Sequence, residues 1–163
     1  MTILPNDYYT TASTLPRPVV CEPMDEDWKA RCREQWWGPG SKHPFPEGWR
    51  RETEHRAVMA RCLSFGGEAV CMHEEDPDIM GIFTKGVFIY GDNATLTQMR
   101  TNNCHENVLV LLESNPRRYA PMTGYALSED GVWRSHSWLV DIRTDALVET
   151  TKRRTAYFGF TKV

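Results

Sequence analysis

From about residue 118 to its end, the chain is a series of short runs rich in β-branched and aromatic residues, with turn residues between them. Runs at about 118–127, 132–141 and 146–151 and a final TAYFGF read as strands, and SEDG at 128–131 supplies a turn between the first two. Connections this short rule out parallel crossovers, which need a dozen or more residues, so the strands should form an antiparallel meander.

The upstream half is different in period. DEDWKARCREQWW places Trp28, Cys32 and Trp36 four apart on one face of a helix, begun by acidic residues and ended by Gly38, Pro39 and Gly40. A second helix is expected near 50–64, with Val58, Cys62 and Phe65 on its apolar stripe and Gly66-Gly67 as its stop. EAVCMH, IMGIF and GVFIY then read as strands. Residues 1–24, with four prolines and no periodicity, are expected to form an extended arm, and 25–163 a single domain. The order of elements predicts an α+β fold.

Charge and cysteine usage narrow the function classes. A net charge of −3 gives no basis for nucleic-acid or membrane-surface binding. The basic runs, Arg117-Arg118 and KRR at 152–154, are short enough to be solvated surface. No apolar stretch is long enough to span a bilayer, and the N-terminal residues lack a basic segment followed by an apolar one. Five unpatterned cysteines read as reduced thiols, so a cytoplasmic setting is expected. Neither a CxxC pair, a P-loop nor a GxGxxG is present, which argues against a metal or any other cofactor.

NNCHEN at 102–107 precedes the most apolar run of the chain, VLVLL. With Asn103 as N-cap, Cys104 falls in the first helical turn, where unpaired N–H groups and the helix dipole favour a thiolate. Glu106 at N3 can reach back in the manner of a capping box. The run that follows is apolar on every side, so the helix is expected to be central and buried.

A thiol nucleophile needs a base, and the base an orienting acceptor. His43 lies in a Pro/Gly loop, His55 on a charged helix face, His73 among acidic residues, and His105 beside the cysteine itself. His136 stands in GVWRSHSWLVD, a strand flanked by Trp133 and Trp138. Parity along that strand puts His136 and Trp138 on one face and Asp141 on the other. If the chain turns back through DIRT at 141–144, His136 comes directly opposite Glu149, which is therefore favoured over Asp141 as the orienting acid.

Over residues 98–160 these segments resemble the papain-like cysteine hydrolase superfamily, and most closely its transglutaminase-like branch. There a cysteine begins a buried helix, a histidine follows in an HxW strand, and an acid precedes a threonine on the next strand, as HSW at 136–138 and ET at 149–150 do here. Three features depart from that pattern: the acid is glutamate, the cysteine is followed by histidine rather than an aromatic residue, and the spacing from Cys104 to His136 is compact. The resemblance implies a buried Cys104 helix packed on an antiparallel sheet, with Cys104 as nucleophile, His136 as base and acid, and Glu149 as orienter. The implied chemistry is acyl transfer on a protein, peptide or small amide or ester. Asn102 or Gln98 would be the side-chain donor to the oxyanion, and Trp138 would help shelter substrate. The competing expectation is a non-catalytic protein-binding module of the same fold, anchored by its tryptophans.

Overall fold

The computed structural model describes residues 19, 25–35, 45, 47–72 and 75–162. The expected arm, apart from Val19, lies outside them, as do the 38–40 stop, Trp36, His43, His73 and the side chain of Cys32. Val19 pairs in a parallel bridge with Gly66, its N–H donating to Phe65 O at 3.2 Å.

Four helices and seven strands occur among the described residues. Helix α1 (Glu26–Gln35) is capped by Asp25, whose carboxylate accepts from Trp28 N–H at 2.7 Å. Helix α2 (Glu52–Phe65) buries His55, Val58, Met59, Cys62 and Phe65 along one stripe. His55 therefore belongs to the core and not to a charged face: its Nδ1–H donates to Arg51 O, and its Nε2 accepts from Asp76 N–H. Strand β1 is Ala69–Cys71.

IMGIF does not form the expected strand but opens helix α3 (Ile79–Lys85). A five-residue apolar run carries too little period to separate the two forms; packing decides it. Ile79 and Ile82 are buried three residues apart, and a Cβ on Gly81 would stand only 2.2 Å from the Phe160 ring. The remaining elements are β2 (Val87–Tyr90), β3 (Thr95–Leu96), α4 (Cys104–Ser114), β4 (Tyr119–Leu127), β5 (Val132–Asp141), β6 (Ala146–Glu149) and β7 (Ala156–Thr161).

The strands form one sheet in the order β2-β7-β4-β5-β6-β3, with β1 also paired to β5. All pairs are antiparallel except β1 with β5 and β3 with β6. This sheet cannot be flat. Strands β2 and β3 lie at opposite ends of the order yet are joined by only four residues, 91–94. Five strand spacings of ~4.8 Å would separate flat edges by about 24 Å, whereas such a link spans at most ~17 Å. The sheet curls until its edges approach, with the 3-10 turn Gly91–Asn93 bridging them.

The two faces of the curl have separate cores. Outside, Tyr125, Leu127, Trp133 and Phe158 pack against α2 and α3. Inside, Met122, Ala126, Trp138, Val140, Leu147 and Tyr157 fill the hollow with Ala94. His136 alternates onto the inner face. Gly124 stands opposite both His136 and Gly159, and a Cβ on Gly159 would lie 2.6 Å from the Trp138 ring.

Helix α4 is not central. It lies on the outer face with Val108 against Leu139 and Val148, flanked by Leu111 and Tyr119, while Leu109 (56% exposed) and Val110 (46%) face solvent. Among the described residues the helix packs only against the outer face of β4, β5 and β6, so an all-round apolar sequence overstates its burial. No helix among the described residues is long and apolar enough to cross a membrane.

The missing side chain at 159 leaves room for the Trp138 ring, which stacks on His136, and the one at 124 lets the Phe158–Gly159 backbone approach. Gly159→Ala should destabilise the protein by about 1–3 kcal/mol through overpacking, read as a lower urea midpoint. An unchanged midpoint would show that the hollow is loosely filled.

Candidate functional site

The site stands at a gap in one edge of β5. Strand β4 occupies the other edge, pairing with every residue from Trp133 to Asp141. On the gapped edge β1 pairs with Val132–Arg134 and β6 with Leu139–Asp141, so among the described residues no strand lies beside 135–138. The first turn of α4 meets β5 there, and Ser137 N–H hydrogen-bonds the Cys104 sulfur.

The helix start is fixed by its own residues. Asn103 occupies the N-cap but makes no side-chain cap to the backbone; its amide hydrogen-bonds the Glu106 carboxylate instead. Buried Asn107 holds the preceding loop through Nδ2–H to Arg100 O at 2.8 Å. Cys104 itself is partly exposed.

His136 and Glu149 approach each other inside the curl. His136 Nε2 donates to Glu149 Oε2 at 2.8 Å, with both side chains almost wholly buried. The pairing arises by a different register from the one expected. The turn is 142–145, with Asp145 in the left-handed region (φ 56°), so Leu139 opposes Val148. One further step brings Glu149 beside Trp138, diagonal to His136. A two-residue shift preserves the face, and the side chains still meet. Asp141 points the other way, accepting from Arg118 Nε at 2.7 Å and Arg143 N–H at 3.0 Å.

Glu149 is fully buried and heavily hydrogen-bonded. Its Oε1 accepts from Thr150 N–H (2.8 Å), Thr151 N–H (2.9 Å) and Thr151 Oγ1 (3.0 Å); Oε2 accepts from Tyr157 OH (2.8 Å) as well as His136. The His136 ring is also stacked on Trp138, with centroids 6.2 Å apart at 20°.

With Nε2 held by Glu149, His136 has Nδ1 left for the thiol, and the imidazoles of both His136 and His105 hydrogen-bond the sulfur. Burial alone would raise the Cys104 pKa, but these two rings, the His136 charge and Ser137 N–H draw it down to about 5. Burial would lower the His136 pKa, yet its bonds to Cys104 and Glu149 raise it. The favoured state is therefore thiolate with imidazolium. Cys62 is the contrast, its thiol pushed well up by complete burial.

The structure thus brings together Cys104, His136 and Glu149. Trp138 has no exposed surface, so it buttresses His136 and cannot touch substrate. Trp133 is equally buried, which removes it and Trp138 as anchors for a partner protein. Gln98 and Asn102 are exposed, Asn102 with φ 60°. Ser137, Thr151 and Tyr157 escaped the sequence reading, and His105 was set aside there as a neighbour of the cysteine; proximity to His136 and Glu149 was the available signal for Ser137 and Thr151, while Tyr157 arrives through the β4–β7 pairing. Among the described residues, no group of three or more His, Cys, Asp or Glu side chains is arranged to hold a metal ion. No protein-family model, curated protein or solved structure matches the chain.

Burial would raise the Glu149 pKa, but His136, Thr151 and Tyr157 lower it to about 2. An unfolded glutamate titrates near 4.3, so the folded carboxylate stabilises the protein above about pH 4.3, and that contribution is lost as pH falls towards 2. The difference corresponds to about 3 kcal/mol. Urea titrations at neutral pH and near pH 2 should show Glu149→Gln less stable than wild type at neutral pH and closer to it in acid. A constant difference at both pH values would contradict the assignment.

Proposed function

We propose that this protein is a thiol-dependent acyl-transfer enzyme with a Cys104–His136–Glu149 triad, built on a papain-like core nearest the transglutaminase-like branch. The observation that carries the reading is the continuous contact from a partly exposed sulfur to His136 and on to a buried carboxylate. A capped structural helix has no need of a lowered thiol pKa or of an acid fixed behind a histidine.

The thiolate adds to the carbonyl carbon of a protein, peptide, amide or ester, forming the C–S bond as the carbonyl electrons move to oxygen. The Cys104 backbone N–H, in the uncapped first turn, is available to that oxyanion, with Asn102 or Gln98 as the side-chain donor. Collapse breaks the bond to the leaving group, which takes the proton from His136 Nδ1. Water or an amine then attacks the thioester, gives its proton to the same nitrogen, and collapse releases the thiolate. Glu149 stays ionised throughout and keeps the ring aligned.

Incubation with activated esters of short peptides, followed by mass spectrometry, tests this reading. A mass increase mapped to Cys104, absent in Cys104→Ala, is expected. Glu149→Gln should lower kcat/KM by about 10²–10⁴-fold, with Asp141→Asn much closer to wild type. Esters that never acylate Cys104 across a broad panel would return the molecule to the binding-module reading.

A further inference from the structure

Cys104 has a second imidazole beside it. His105 follows it in the same helical turn and hydrogen-bonds the same sulfur, yet it is exposed where His136 is buried. Its Nδ1 lies 2.5 Å from Ser137 Oγ. Ser137 is itself buried, and it follows His136 on β5 at the gap. A single residue therefore offers its N–H to the sulfur and its hydroxyl to His105. A surface histidine without a role has no reason to be tied to a buried hydroxyl on another element.

We propose that His105, positioned by Ser137, is a second catalytic histidine that shares the Cys104 thiolate with His136 and faces the incoming substrate. This rests on Cys104 being the nucleophile proposed above. The division of labour follows from exposure: His136, locked to Glu149, exchanges protons with leaving group and acceptor, whereas His105 acts by charge and keeps its proton. When the C–S bond forms and negative charge moves from sulfur to the carbonyl oxygen, His105 stands on the open side where that oxygen arrives.

The charged groups acting on His105 come from three elements. Cys104 on α4 raises its pKa through a hydrogen bond and through charge, while burial, His136 on β5 and Lys162 just after β7 lower it, with a net upward shift. Two imidazolium ions beside one another repel, and the thiolate they share offsets that repulsion.

Iodoacetamide labelling of Cys104 from about pH 5 to 9, read by peptide mapping, tests the proposal without any substrate. His105→Gln and His105→Asn should shift the labelling profile up by about one pH unit, an approximately tenfold slower reaction near pH 6. Ser137→Ala should move it part of the way, and Ser137→Thr should restore it. Removing both histidines should leave a thiol titrating near its ordinary value of about 8.5. Profiles of the His105 variants that superimpose on wild type, while His136→Gln is shifted, would overturn the proposal and leave the triad standing. An ordinary wild-type profile would overturn both together.

Discussion

A carboxylate with no solvent exposure is the most demanding group in this molecule. Left unpaired, a buried charge of this kind costs several kcal/mol. Glu149 is instead surrounded by five hydrogen bonds, from His136, Tyr157, Thr150 and, twice, Thr151. These donors come from β5, from β7 and from the chain just after β6, so the carboxylate is satisfied only when the curled sheet has closed in the correct register. The same closure orients His136 towards Cys104. Folding and assembly of the site are one event, and an error in strand register would leave the charge without its partners.

The gap on β5 is the second constraint. A continuous β6 would cover 135–138 and shut α4 away from the inner face. Because β1 and β6 leave that edge open among the described residues, a cysteine on an outer helix reaches a histidine that points inward. The partly exposed thiol with its lowered pKa and the fully buried Cys62 show how far environment separates chemically identical groups. Both are cysteines on helices: one meets two imidazoles and a backbone N–H, the other an apolar core.

The sequence made much of this legible, and its failures have physical causes. The strands 118–127, 132–141 and the final run are found because period two and turn chemistry are local properties. Glu149 could be placed on the His136 face because parity survives a two-residue change of register, although the turn itself lies at 142–145 and not at 141–144. Helix α3 was invisible as a helix, since what selects it is the Phe160 ring against Gly81, from a strand far away in sequence. The burial of α4 was overestimated because composition records which residues are apolar but not which of them find a neighbour. Trp138 looked like a shelter for substrate, whereas the curl turns its whole ring inward. His105 was passed over because adjacency in sequence says nothing about a hydroxyl 32 positions later.

The proposed chemistry requires Cys104 and His136 to rest as a thiolate–imidazolium pair backed by ionised Glu149. Nitrogen-15 NMR of the histidine side chains at neutral pH tests it most directly. Protons are expected on both Nδ1 and Nε2 of His136, with the Nε2–H showing the strong deshielding of a bond to a carboxylate. Replacing Cys104 with alanine should lower the pH at which Nδ1 loses its proton. A His136 ring that is neutral at pH 7 in the wild-type protein and indifferent to Cys104 would contradict the claim.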